Sequence, residues 1–202
     1  MTAEPSWVTG PTEPPLLEIT IGRALDEAAA KWGAELALIS PQQGVRWTWA
    51  DLARKADDLA AGLKRLGLEK GERIGVWSPN CAEWTLTQFA AARLGLVLVT
   101  INPAYRLSEV EYTLNKVGVK ALVCAERFKT SDYAGMVETL APELAASTPG
   151  ALDAARLPSL KAVIQIGGAP RPGWLGFEAV AAPATDAERA EIGRIGATLD
   201  PR

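Results

Sequence analysis

The chain has 202 residues, of which 48% are apolar and 22% charged, and it carries a formal net charge of -3. These values fit a globular protein with a substantial core and exclude disordered and fibrous classes. No run of five like charges offers nucleic acid or an anionic membrane an electrostatic footing, and no apolar run reaches the roughly 18 residues that a membrane span requires.

Residues 1–18 read as an extended lead-in, because Pro5, Pro11, Pro14 and Pro15 interrupt any helix. The segment lacks the basic and apolar regions of a signal peptide, so a cytoplasmic protein is the expectation. Leu25, Ala28, Ala29 and Trp32 follow helical spacing, which predicts a helix over about residues 20–32 that stops at Gly33. Leu36–Ser40 and Val45–Trp49, joined by Pro41-Gln42-Gln43-Gly44, read as two short strands and a turn.

A helix is then expected to open at a capping box, Thr48-Trp49-Ala50-Asp51, with Leu52, Ala56, Leu59, Ala60, Leu63 and Leu66 as its apolar stripe and Gly67 as its stop. Two further boxes are expected, Asn80 with Glu83 and Ser108 with Glu111, each opening a helix that ends at a glycine, Gly95 and Gly118. Apolar, β-branched runs begin at residues 73, 96 and 119, an interval of 23 residues. A strand-helix unit repeated in this way, with strands too uniformly apolar to face water, predicts an α/β doubly wound, mainly parallel sheet with flanking helices. Farther along, a helix over Ser131–Leu144, a surface loop over Ala145–Pro158, a strand over Leu160–Ile166, a turn over Gly167–Gly173 and a helix over Asp186–Ile195 are expected.

The chain contains no histidine, so Ser-His-Asp and Cys-His catalysis, HExxH zinc sites and His-based metal triads are excluded for it. Cys81 and Cys124 form neither a CxxC pair nor a disulfide framework and read as two reduced packing thiols. No GxGxxG is present, and although Gly62 and Gly67 have the outer spacing of a Walker A loop, Leu68 and Glu69 stand where Lys and Ser/Thr are required. Gly167-Gly168-Ala169-Pro170-Arg171 is a glycine-rich turn with a cation, but Pro170 and Pro172 remove amides that an anion nest would use, so a surface turn is the better reading. Glu83 and Glu111 are accounted for by their boxes and Glu109 by the first turn of a helix, where negative charge is favoured. Asn102, Pro103 and Arg106 follow the carboxyl end of a strand, where open α/β sheets gather ligands, although loop architecture also explains them.

Trp47-Thr48-Trp49-Ala50-Asp51-Leu52 resembles the first core motif of the adenylate-forming superfamily. The segment Gly62–Ile74, then Trp77-Ser78-Pro79-Asn80 with Glu83-Trp84, follow in order, and Ala90–Arg106 resembles the second core motif. The form Ile101-Asn102-Pro103-Ala104-Tyr105-Arg106 is similar to that of fatty-acid-CoA ligases. The resemblance spans nearly the whole chain after residue 18. It implies an enzyme that uses ATP and magnesium to convert a carboxylic acid to an acyl-adenylate and then lets coenzyme A displace AMP.

The phosphate-binding loop of that superfamily, rich in Ser, Thr and Gly and ending in Pro-Lys-Gly, would follow a segment like Gly196–Pro201. The resemblance therefore implies that residues 19–202 are the N-terminal α/β portion of an acid-CoA ligase, ahead of its phosphate loop. No catalytic, cofactor-binding or metal-binding residue carries over to any position here, and neither activity nor cofactor binding is expected of the chain alone. The partner expected is the remainder of the ligase, joined covalently or as a separate chain, with a homodimer also open. The competing reading is an interaction module or the subunit of a split ligase.

Overall fold

The computed structural model describes residues 9–201. Residues 1–8 of the expected lead-in lie outside the described residues, and residues 9–18 contain no helix or strand. The chain then forms α1 (Ile21–Trp32), β1 (Leu36–Ser40), β2 (Val45–Thr48), α2 (Trp49–Arg65), β3 (Arg73–Trp77), α3 (Ala82–Leu94), β4 (Val97–Thr100), α4 (Leu107–Val117) and β5 (Val119–Ala125). It continues with β6 (Arg127–Phe128), β7 (Ser131–Asp132), α5 (Tyr133–Leu140), β8 (Ala162–Ile166), β9 (Leu175–Gly176), α6 (Phe177–Val180) and α7 (Asp186–Ala197).

Five strands make one sheet in the order β4-β3-β5-β8-β9, and every pairing in it is parallel. Side chains alternate between two cores, as the two-residue period of a strand requires. Ile74, Val76, Ala121, Val123, Ala162 and Ile164 enter the first, with Leu25 of α1, Leu59 and Leu63 of α2, Leu86 of α3, Phe177 of α6 and Ile192 of α7. Trp77, Val119, Leu122, Cys124 and Val163 enter the second, with Val110 and Leu114 of α4 and Tyr133, Val137 and Leu140 of α5. Helices on both faces of a parallel sheet make the fold doubly wound, as the sequence pattern indicates.

The helix ends explain the regular repeat. Gly95 and Gly118 follow α3 and α4 at φ 67° and 62°, a left-handed conformation that a side chain disfavours. At the first of these, the Leu96 amide donates back to the Ala91 carbonyl at 2.9 Å, turning the chain from helix into β4. Thr48 caps α2 as expected: its hydroxyl accepts from the Asp51 amide at 3.1 Å, and the Asp51 carboxylate accepts from the Thr48 amide at 3.2 Å.

The two other boxes are not formed. Helix α3 starts one residue later than the Asn80 box requires, and its first amide, on Ala82, donates to the side chain of Gln43 at 2.8 Å. Helix α4 starts at Leu107, so Glu109 rather than Glu111 reaches back, accepting from the Arg106 amide at 2.7 Å. A reciprocal box absent from our sequence reading opens α7, where Thr185 and Glu188 exchange bonds at 3.2 and 2.7 Å.

The helix expected over Ser131–Leu144 is shorter. Ser131 and Asp132 pair with β6, Asp132 caps α5, and Pro142 ends α5 because the residue before a proline is driven out of the helical region. The stretch from Ala145 to Pro158 is irregular, but it is not a surface loop throughout. Leu152, Ala154 and Leu157 are buried in the second core, and the Leu152 amide is satisfied by the Lys161 carbonyl at 3.0 Å.

Two buried charges tie helices together. Asp58, 4% exposed on α2, accepts from Arg189 at 2.6 Å and from the Ala184 amide at 2.9 Å, fixing α7 across α2. Arg93 on α3 pairs with Asp26 at 2.6 Å and Asp57 at 3.0 Å and donates to the Gly22 carbonyl at 3.0 Å, joining α1, α2 and α3. Burial pushes the Asp57 carboxyl above its ordinary value even though Arg93 pulls the other way.

Two predictions follow from this packing. A Cβ on Gly62 would lie 1.8 Å from the Val180 carbonyl oxygen, whereas one on Gly193 of α7 meets nothing within 4 Å. In chemical denaturation, Gly62→Ala should therefore cost about 3 kcal/mol or more by overpacking, and Gly193→Ala should gain up to about 1 kcal/mol of helix propensity. The Thr185 amide and then Arg65 hold Glu188 down to about 2, below its ordinary 4.5. A depressed carboxyl stabilises the fold fully above pH 4.5 and loses that contribution as the pH falls towards 2. Glu188→Gln should lower the thermal midpoint at neutral pH, and the two proteins' midpoints should converge across that acid window.

Candidate functional site

The connection from β3 to β4 runs through α3 on the first face, while β5 leads through α5 on the second face to β8. Since β3 and β5 are neighbours, the chain leaves their carboxyl ends in opposite directions, and the crevice between them is the place where open α/β sheets take ligands. It is bordered by Ser78-Pro79-Asn80 after β3, residues 101–106 after β4 and Glu126 after β5.

Two stacked aromatic rings underlie this end of the sheet. Trp77 and Tyr133, both fully buried, have centroids 4.2 Å apart. The Trp77 indole donates to the Asn102 carbonyl at 3.2 Å and the Tyr133 hydroxyl to the Pro103 carbonyl at 2.7 Å. The loop after β4 is thus stapled by two buried donors, whose burial would be costly without these acceptors. The side chain of Asn102 accepts from the Ala104 amide at 2.9 Å, closing the turn, and Arg106 donates to Ser131 at 3.0 Å. Asn102, Pro103 and Arg106 do come to the carboxyl edge, but their described contacts build the loop.

The glycine turn is held from within. Gln165, 2% exposed at the end of β8, donates to the carbonyls of Gly167 at 2.9 Å and Ala169 at 3.1 Å and accepts from the Arg171 amide at 3.3 Å. Arg171 is itself committed to Glu126 at 3.0 Å and Glu138 at 3.1 Å. A turn with its cation paired and an amide already donated is a poor anion nest. Gly62 lies inside α2 against Val180, and Gly67 follows the helix end, so neither belongs to a phosphate loop.

The three glutamates are separated. Glu83 accepts from Gln43 at 2.8 Å, Glu109 caps α4, and Glu111 pairs with Arg156 at 2.7 Å, which holds its carboxyl below the usual range. Gln43 is the residue that sequence reasoning missed: it binds the β1-β2 turn to the start of α3 through both its amide oxygen and its nitrogen. Its one local signal is a polar side chain in a proline-led turn.

Burial pushes the thiols of Cys81 and Cys124 up, and the latter donates to the Ala125 carbonyl at 3.1 Å, so neither is disposed to act as a catalytic nucleophile at neutral pH. Among the described residues no group of three His, Cys, Asp or Glu side chains could hold a metal ion.

The sequence model of the AMP-binding enzyme family matches residues 25–192. The human protein called medium-chain acyl-CoA ligase ACSF2, mitochondrial, is 42% identical over 177 residues, covering 88% of this chain and 29% of that protein. The zebrafish protein of that name (Danio rerio) is 40% identical over 163 residues, covering 81% of this chain and 27% of its own. The chain thus spans less than a third of the length of these relatives. Among solved structures, the anthranilate CoA ligase AuaEII in complex with anthranoyl-AMP superposes with a TM-score of 0.69 at 23% identity, over 85% of this chain and 29% of that one, a likeness of fold. The apo structure of MbtA from Mycobacterium smegmatis superposes at 0.67 with 27% identity, over 84% of this chain and 28% of that one. On the match over residues 25–192, joined to the parallel sheet and its open carboxyl end, the chain belongs to the AMP-binding enzyme family.

Proposed function

We propose that this chain is the N-terminal scaffold portion of an ATP-dependent, AMP-forming ligase that joins a carboxylic acid to coenzyme A. The observation that carries the proposal is the 42% identity to a protein named as a medium-chain acyl-CoA ligase, over a stretch amounting to 29% of it. That name supports a medium-chain fatty acid as the substrate of the whole enzyme. Such an enzyme forms an acyl-adenylate with release of pyrophosphate and then transfers the acyl group to the thiol of coenzyme A.

Within this proposal the chain supplies the sheet, the crevice at its carboxyl end and the stapled loop of residues 101–106. On this reading the groups that hold ATP and magnesium belong to the portion of the ligase outside the match, and the internally bonded turn at Gly167–Arg171 supports it. Positioning of this kind is a large part of what a scaffold contributes to group transfer. The two unpaired thiols support a reducing compartment, for which we propose the cytoplasm, although the vertebrate relatives carry "mitochondrial" in their names. Among the described residues no helix is long and apolar enough to cross a membrane.

A second reading, a subunit that works with a separate chain, is favoured by the exposed Leu36 and Ile39 on β1. The two readings differ in whether a separately expressed complementing chain restores turnover.

The purified chain, mixed with ATP, magnesium and a panel of carboxylic acids, should release pyrophosphate at the buffer background rate, and calorimetric titration with ATP should show no binding heat. Robust turnover by the chain alone would overturn the scaffold proposal.

A further inference from the structure

Among the described residues, exposed large apolar side chains concentrate in one stretch of sequence: Leu16, Leu17, Ile21, Trp32, Leu36 and Ile39. Leu36 and Ile39 stand on β1, half of a two-stranded antiparallel sheet that no third described strand joins. A two-strand ribbon is marginal alone, and an unpaired apolar edge is a template for another strand. This ribbon is nonetheless held in place. Trp47 of β2 packs on the first core, and Gln43 at the turn is bonded to Ala82 and Glu83 of α3.

Beside the edge lies a cleft of about 350 Å³ between β1 and the start of α3, lined by Leu38, Ile39, Asn80, Cys81 and Trp84 among others. No Asp, Glu, Lys or Arg lines it, which suits an uncharged polypeptide segment better than a nucleotide. It also opens next to Asn80, just past the carboxyl end of β3, so whatever occupies it is delivered to the crevice.

We propose that the β1 edge and this cleft seat an extended, apolar segment from the rest of the ligase, paired to the strand through its backbone and placing an aliphatic side chain in the cleft. The proposal rests on reading this chain as a portion of such a ligase. The occupant is argued from length: the matched stretch is 29% of the human relative, so most of that protein packs outside it. The seat is argued from position, since here exposed apolar residues adjoin the ligand end of the sheet.

The cleft contains its own reporter. Cys81 is half-buried in its wall, while Cys124 is fully buried in the second core and serves as a control. Alkylation by iodoacetamide at mildly alkaline pH, read by mass spectrometry of each cysteine's peptide, is to be compared in this chain and in a chimera where it replaces the matched portion of the human relative. Cys81 should react at least roughly tenfold more slowly in the chimera, because a seated segment must open first. Leu36→Lys combined with Ile39→Lys should return it to the rate of the chain alone.

Equal rates in chain and chimera overturn the proposal. So does a Cys81 rate in the chain alone that falls as its concentration rises, which would seat a second copy instead. In the chain alone the double substitution should leave the unfolding midpoint unchanged, and a large loss there would assign both residues to the chain's own packing and sink the idea. Pyrophosphate release by the chimera separates the two proposals: protection without turnover counts against the ligase reading alone, and turnover with Cys81 exposed counts against the docking alone.

Discussion

A parallel sheet has to be kept from water on both faces, and here that requirement falls on five short strands with few residues to spare. The four longer strands divide their side chains between two cores, so Ile74 and Val76 look one way while Trp77 looks the other. Helices are then needed on both faces, and with α3 on the first and α5 on the second the chain leaves the neighbouring strands β3 and β5 in opposite directions. The crevice at the carboxyl end is thus a by-product of covering the sheet. Trp77 belongs to both stories: it fills the second core, and its indole nitrogen fixes the loop that borders the crevice.

How much of this was legible in the sequence depended on the range of the interaction. Apolar stripes, glycine stops and β-branched runs are local, and they yielded the sheet, its parallel character and the places of α1, α2 and α7 within a residue or two. The capping boxes show the limit of local rules. For α4 two glutamates were available two residues apart, and Glu109 won because the helix began at Leu107. For α3 the cap came from Gln43, about 40 positions away, which no window around Asn80 contains. The irregular segment before β8 misled by composition: its Ala, Pro, Ser and Thr read as solvent-exposed, yet its leucines close the second core.

The candidate site was less legible than the fold. Asn102, Pro103 and Arg106 were found because they follow a strand, but the bonds that decide their roles come from Trp77, Tyr133 and Ser131. Likewise the glycine run read as a surface turn because its prolines spoil an anion nest, but what holds it is Gln165, one buried amide bonded to three backbone groups. The family resemblance rested on stretches of sequence rather than on any single contact, so it survived these local misreadings.

The Asp58 carboxylate carries a consequence for the order in which the chain takes shape. Its partners at Ala184 and Arg189 stand more than 120 positions further on. A nascent chain that has made α2 therefore holds a carboxylate destined for the interior that is paired only with Arg54, one turn back on the same helix at 3.4 Å, and still lacks its two closer partners. The first core reaches its full set of bonds at that spot only when the far end of the sequence has emerged. Contacts of such separation slow folding, and they keep the early half of a chain open to other partners while it waits. The buried charge thus acts as a late latch, and one face of the sheet becomes native only after nearly all of the sequence is present.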